Sequence, residues 1–130
     1  MLADIRGLSW IEIVPVDALA ELVAFSDFVR ILGSRGRDIG EASILAWALI
    51  SGGVAIVDDQ AAVNAARANN VTVRRSLALI GDGVHKRVIT LAEARSLVDD
   101  LASAGGARLP CDGAGFEVWA EANGFGLRDT

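Results

Sequence analysis

The strongest constraint on the fold is a run of sixteen uncharged, mostly apolar residues, Ala42 to Val57, enclosed by Glu41 on one side and Asp58-Asp59 on the other. A helix that crosses a bilayer needs ~20 apolar residues, and a glycine pair interrupts this run. The run is therefore expected to form buried elements of a folded domain rather than a transmembrane helix, and no membrane partner is expected.

The run divides naturally into a helix and a strand. Ala42 to Ser51 allows about three helical turns, a rise of ~15 Å. Gly52-Gly53 then ends the helix, because glycine tolerates the positive φ of a helix stop. The four apolar residues that follow predict a short buried strand of ~13 Å. If that strand returns antiparallel to the helix, the two aspartates lie level with Glu41.

The remaining elements alternate along the chain. Helices are predicted at 18–32, 60–68, 76–80, 91–102 and 115–123, and strands at 10–14 and 71–73. Asp17 is the expected N-cap of the first helix, and Thr90 with Glu93 forms a capping box. Asn69-Asn70 is expected as a left-handed C-cap, and the glycines near residue 82 as a helix break. Alternating strands and helices predict an α/β fold with a mostly parallel sheet.

Composition sets further limits. The 130 residues suffice for one domain with a real core, and the mean hydropathy of +0.42 is high. Either the strands are covered on both faces or apolar surface belongs to a partner. The single Cys111 excludes an intrachain disulfide and a thiolate zinc site. The first residues lack the pattern of a secretory signal, so a cytoplasmic location is expected.

The net charge of −5 argues against a protein that coats nucleic acid by bulk electrostatics. An enzyme acting on nucleic acid is still allowed, since metal-binding acids add to the negative total while a local basic rim guides phosphate. Arg74-Arg75 and the segment 85–87 form the candidate rim, and an ordinary solvated surface is the alternative for each.

The acids next to the uncharged run have two interpretations. Clustered carboxylates repel one another, and a bound Mg²⁺ or Mn²⁺ offsets that repulsion. Helix capping is the simpler alternative: Asp38 and Glu41 have capping-box spacing, and one of Asp58 and Asp59 suffices to cap the next helix. Spacing alone does not decide between these interpretations.

A family resemblance rests on several short motifs in a fixed order. These are Gly40-Glu41-Ala42, Gly52-Gly53, Asp58-Asp59, Ala61-Ala62, Ala65-Ala66-Arg67 and Asn70-Val71. Together they resemble the carboxyl-terminal part of a PIN-domain protein, in the branch of predicted PIN nucleases where a Gly-Glu-Ala helix precedes a strand ending in two aspartates. The resemblance covers residues 10–80, and residues 115–124 are similar to the tail of that branch.

The resemblance implies a metal-dependent ribonuclease of Mg²⁺ or Mn²⁺, and many such proteins are toxins of toxin–antitoxin pairs. By position in the motifs it implies Glu41, Asp58 and Asp59 as metal-binding and catalytic acids. It also implies contacts of Arg74, Arg75 and Ser76 with an RNA substrate. The expected fold is a PIN-like three-layer arrangement, with residues 1–130 forming one domain that corresponds to the last two thirds of the family domain.

One departure from the family pattern concerns the first residues. PIN domains begin with a buried strand that ends in a metal-binding Asp, and nothing before Trp10 matches that unit. We expect a misplaced gene start, a catalytically dead remnant, or a protein completed by a partner chain. A missing strand would leave apolar surface bare, which favours a homo-oligomer or a bound antitoxin.

Three functional hypotheses follow. The first is the PIN-type endoribonuclease, and the second is an inactive PIN-like module that binds an antitoxin or itself. The third is a nucleotide-binding or receiver-like α/β domain with two aspartates at a strand end. The absence of a glycine-rich phosphate loop in the sequence argues against the nucleotide version of the third hypothesis.

Overall fold

The computed structural model of the protein describes residues 8–9, 11–33, 36–104 and 109–126. Within these residues the elements are α1 (Leu19–Leu32), α2 (Gly36–Ser51), β1 (Val54–Ile56), α3 (Gln60–Ala68), β2 (Thr72–Arg74), α4 (Ser76–His85), α5 (Leu91–Ser103) and α6 (Phe116–Ala122). The two strands pair in parallel, with Val54 opposite Thr72 and Ile56 opposite Arg74. The predicted α/β class with parallel strands is confirmed.

The first half of the chain packs around one core. α1 and α2 form a helical hairpin that contacts α3 and β1. The largest fully buried side chains of this core are Phe28 and Leu45. Most of its other residues are alanines of α2 and α3. Alanine side chains let helix backbones approach closely, so this core is filled by near contact between elements rather than by bulky residues.

The second half packs around a separate core. Leu77 and Val84 of α4, Val98 of α5 and Phe116 of α6 are buried there. The strand pair lies between the two cores along the chain. α3 connects β1 to β2, and α4, which belongs to the second core, follows β2 directly. The ends of β1 and β2 therefore lie where the halves meet.

Several local predictions are confirmed by the contacts that determine them. Asp59 caps α3 by accepting a hydrogen bond from the Ala62 N–H, and Asn70 after that helix has φ 61°. Thr90 and Glu93 form the expected capping box of α5. Each motif carries its own hydrogen-bond partners within a few residues, which is why local pattern suffices to find it.

The predicted first strand is wrong for residues 11–14, which are irregular, while Trp10 lies outside the described residues. Ile13 is 60 % exposed, and no strand of the described part of the chain pairs with this segment. An alternating sequence becomes a strand only where a partner satisfies its backbone groups.

The predicted starts of the first two helices are also wrong. Ala18, not Asp17, is the N-cap of α1. α2 begins at Gly36 rather than near Ala42, and Asp38 lies in its first turn instead of at the N-cap. The capping-box interpretation of Asp38 and Glu41 therefore fails.

The predicted break after Ile80 is wrong because α4 continues to His85. Gly81 is buried, and a Cβ atom there would lie 2.8 Å from the ring of Phe125. This glycine is needed for close packing inside a helix rather than for ending one. None of the helices in the described residues has the length and apolar character that crossing a bilayer requires.

We predict that Gly113→Ala destabilises the fold. The Gly113 N–H donates to Asp99 Oδ1 at 2.8 Å, and a Cβ atom would collide with the Arg95 carbonyl oxygen and the Asp99 carboxylate. Since a backbone carbonyl cannot move without distorting α5, the free energy of unfolding should fall by about 1–3 kcal/mol.

The measurement is urea unfolding followed by circular dichroism. Gly40→Ala is the matched control, because no atom lies within 4 Å of its Cβ position and alanine favours helix. Equal stability of the Gly113→Ala protein and the wild type would contradict this packing.

Candidate functional site

Two aspartates follow β1 at the edge where both parallel strands end. The Val57 N–H donates to the Arg74 carbonyl at 3.0 Å, which extends the strand pairing by one residue. Asp58 and Asp59 come directly after it and are half-buried. The carboxyl ends of parallel strands are where α/β proteins place binding sites, so the position of the pair agrees with a functional edge.

Asp58 caps α4 from a distance in sequence. Its Oδ1 accepts a hydrogen bond from the Ser76 N–H at 2.8 Å, and its Oδ2 accepts one from Ser76 Oγ at 2.6 Å. The residue at the N-cap of α4 is Arg75, which has no oxygen in its side chain and makes no capping bond. The carboxylate supplies the missing acceptor and places a negative charge at a helix N-terminus, where it is favourable.

Asp59 caps the other helix that begins at this edge. Its Oδ2 accepts from the Ala62 N–H at 3.1 Å. Adjacent aspartates thus cap α3 and α4: the predicted cap of α3 by this pair is confirmed, and the cap of α4 by Asp58 is a further finding. An ionised carboxylate has about four acceptor positions. Capping by described residues takes two of these at Asp58 and one at Asp59, so both retain oxygen lone pairs for a further ligand.

The third predicted acid, Glu41, lies near the start of α2. Its side chain is half-buried and its Oε2 is enclosed. Within the described residues, no three His, Cys, Asp or Glu side chains converge closely enough to hold a metal ion. The structure therefore ties Asp58 and Asp59 to one edge without showing a three-acid cage that includes Glu41.

A further enclosed acid, Glu21 of α1, is not among the residues predicted from the sequence. Its Oε2 is enclosed and has no hydrogen-bond partner among the residues that the structure describes. A signal was available: Glu21 shares the helical stripe of Ala24 and Phe28, which are buried. An acid on the core side of a helix lacks the solvent that normally hydrates its charge, which makes an unpaired carboxylate there unfavourable.

The donor set suits a hard divalent cation. Mg²⁺ is commonly held by one or two carboxylates, with water and substrate phosphate completing the shell. Asp58 and Asp59 provide such a pair, and the hydrogen bonds from Ser76 hold one carboxylate in a fixed orientation, as outer partners of metal ligands do. The residues present fit Mg²⁺ or Mn²⁺ by their chemistry.

The predicted phosphate-binding residues are near this edge, where their polar groups also make internal bonds. Arg74 forms an ion pair with Asp82. Arg75 Nη1 donates to the Asp58 carbonyl at 2.7 Å, and its Nη2 donates to the side chain of Gln60. These bonds hold the Arg75 guanidinium at the strand end, whereas the partner of Arg74 lies further along α4. Contact of Arg74, Arg75 and Ser76 with RNA stays a prediction.

A cleft of about 350 Å³ opens beside Asp58. Its wall includes Arg67, Arg74 and Arg75, together with apolar residues of the second core. The lone Cys111 packs against that core without lining the cleft. Burial, reinforced by the negative charge of Asp112, raises the pKa of its thiol above the ordinary value. Cys111 therefore stays protonated at neutral pH, as expected of a structural cysteine.

Comparison with known proteins identifies the family. A family model described as a PIN domain matches residues 3–112. The match covers most of the chain, and the chain belongs to the PIN-domain family. No curated protein and no solved structure gives a significant match. The predicted family is confirmed, and a nuclease-type fold follows from it.

We predict that Ser76→Ala lowers stability by about 1–3 kcal/mol, because it removes a hydrogen bond to the half-buried Asp58 carboxylate. Thermal or urea unfolding checks this value. Ser96→Ala on the exposed face of α5 is the control and should be neutral. Ser76→Thr keeps the hydroxyl and should restore most of the loss. If Ser76→Ala matches the control, this contact does not join the two halves.

Proposed function

We propose that the protein is a PIN-type, metal-dependent endoribonuclease in which Glu41, Asp58 and Asp59 are the acidic residues of the active site. The observation that carries the proposal is the position of Asp58: it ends a parallel strand and lines a cleft that contains three arginines. Such a local concentration of positive charge is unexpected in a chain of net charge −5, and it fits a polyanionic substrate.

The chain's own residues would orient the reacting groups. A bound Mg²⁺ or Mn²⁺ would supply Lewis-acid stabilisation of the phosphodiester and an acidified water. Asp58 and Asp59 would hold the cation through their remaining lone pairs, with Asp58 held in place by Ser76. Arg75, fixed by the Asp58 carbonyl, would offset phosphate charge at the same edge.

RNA as the substrate, and a role as the toxin of a toxin–antitoxin pair, belong to this proposal. They are supported by membership of the PIN-domain family. A homo-oligomer or a bound antitoxin is supported by the exposed apolar side chains of the first half. These side chains are Leu19 and Val23 on α1, Ile44 and Ile50 on α2, and Val54 on β1.

A second candidate function is favoured by that apolar surface. Exposed apolar patches on soluble proteins commonly mark interaction sites. The protein would then be a catalytically inactive PIN-like module that binds an antitoxin or another copy of itself. The two candidates differ in what the strand-end acids do, because only the nuclease requires them for activity.

We predict that Mn²⁺ raises the melting temperature of the wild type in a saturable manner and supports cleavage of single-stranded RNA. Both effects should be lost in the Asp58→Asn, Asp59→Asn double variant, since a ligand stabilises only the state that binds it. Asparagine keeps a side-chain oxygen for capping, so the variant should fold. Differential scanning fluorimetry and a fluorogenic RNA assay give the two readouts.

The matched control is the Asp99→Asn, Asp100→Asn double variant, which replaces the other adjacent acid pair, on α5. It removes the same charge, and the Asp99→Asn substitution keeps a side-chain oxygen that can accept from the Gly113 N–H. Equal Mn²⁺ stabilisation of all three proteins would contradict the site. Retained partner binding by the Asp58→Asn, Asp59→Asn variant, with no RNA cleavage by the wild type, would favour the interaction module.

A further inference from the structure

The cleft beside Asp58 has walls of two kinds. It lies between the crossover helix α3, the strand β2 and helix α4 on one side and residues 109–125 on the other. Val73, Leu77 and Trp119 provide apolar surface, while arginines and Asp58 provide charge. The volume of about 350 Å³ falls in the range of small-molecule sites. A ligand that fits must combine an apolar body with an anionic group.

The apolar wall is built from stacked aromatic rings. Trp119 stacks on Phe116 with ring centroids 6.0 Å apart and on Phe125 with centroids 5.7 Å apart. Phe125 is held in turn against Gly81, where a side chain would collide with its ring. The indole N–H of Trp119 donates to no described residue, so this wall offers an unused hydrogen-bond donor together with flat apolar edges.

The three arginines of the cleft differ in how much of their charge is committed. Arg74 is paired with Asp82, and Arg75 is held by the Asp58 carbonyl and the Gln60 side chain. Arg67 lies in the last turn of α3, and its exposed side chain makes no hydrogen bond or ion pair with any described residue. Its guanidinium therefore has five donors available for a ligand.

We propose that this cleft binds one nucleotide of a single-stranded RNA substrate, with Arg67 contacting the phosphate and the Trp119 wall contacting the base. The proposal rests on the proposed nuclease function, and it adds a base-binding subsite and a phosphate contact. A planar base suits the apolar wall, and a guanidinium binds phosphate through paired N–H donors. Asp58 is part of the cleft lining, so the neighbouring phosphodiester would lie beside the strand-end acids.

The experiment is isothermal titration with adenosine 5′-monophosphate in EDTA, which separates binding from metal and from catalysis. Wild type should bind AMP more tightly than it binds adenosine or inorganic phosphate, because only AMP occupies both walls. Arg67→Ala should weaken AMP binding about tenfold, as loss of a charge-assisted contact does. Arg30→Ala is the matched control, since Arg30 is an exposed helical arginine on α1 that pairs with Asp27.

A second variant tests the cavity itself. Ala78 lines the cleft from α4, and Ala78→Leu adds volume there without disfavouring a helix. It should abolish AMP binding while the circular dichroism spectrum stays that of the wild type. AMP binding that survives both Arg67→Ala and Ala78→Leu would place the ligand elsewhere and overturn the proposal. Binding of tetraglutamate in place of AMP would also overturn it.

The two proposals fail separately. The Asp58→Asn, Asp59→Asn variant should bind AMP at least as tightly as the wild type, because Asp58→Asn removes from the cleft a negative charge that repels the phosphate. If wild type cleaves RNA but Arg67→Ala binds AMP normally, the subsite is wrong and the nuclease stands. If AMP binds as expected but Mn²⁺ supports no cleavage, the nuclease is wrong and the cleft remains a nucleotide site.

Discussion

The hydrogen bonds between the Asp58 carboxylate and Ser76 are the constraint on which the rest of the structure depends. They join the end of β1 to the start of α4, and so connect the alanine-rich first core to the second core. Two further bonds lie beside them: the Val57 N–H to the Arg74 carbonyl and the Arg75 guanidinium to the Asp58 carbonyl. These contacts fix the start of α4 relative to the end of β1, and so place Asp58 and Arg75 together in the lining of the cleft.

The same contacts explain why two adjacent acids are tolerated at a half-buried strand end. Each carboxylate faces the N-terminus of a helix, α3 for Asp59 and α4 for Asp58, where unpaired N–H groups and the helix dipole stabilise negative charge. Capping and metal binding are compatible, because a capping bond consumes only part of a carboxylate's acceptor capacity. A structural role for these aspartates is therefore compatible with the proposed catalytic one.

Local chemistry decided which parts of the fold could be predicted from the sequence. The capping residues of α3 and α5 lie within a few residues of their partners, so the local sequence pattern suffices to predict them. The strand expected at residues 10–14 does not form over residues 11–14, because strands depend on partners elsewhere in the chain. The sequence around Gly81 predicts a helix break because the contact that explains this glycine, Phe125, is far away in the sequence.

The site shows the same division. The motif predicts that Asp58 and Asp59 lie at a strand end. It does not predict the cleft, because Arg67 and Trp119 come to line one cleft only in the folded chain. Ser76 was expected to contact RNA, and its observed bond to Asp58 depends on the parallel register of β1 and β2. The position of Glu21 on the buried stripe of α1 can be read from the sequence, because it has helical spacing from the apolar Ala24 and Phe28.

The proposed function depends on the binding of a divalent metal by the carboxylates at the end of β1. The most direct measurement is the broadening of backbone amide NMR signals by Mn²⁺ added far below stoichiometry. Mn²⁺ bound at the strand end should selectively remove the signals of residues 57–60 and of Ser76, while those of the exposed pair Asp99-Asp100 persist. Equal broadening at both acid pairs, or none at the strand end, would contradict this site.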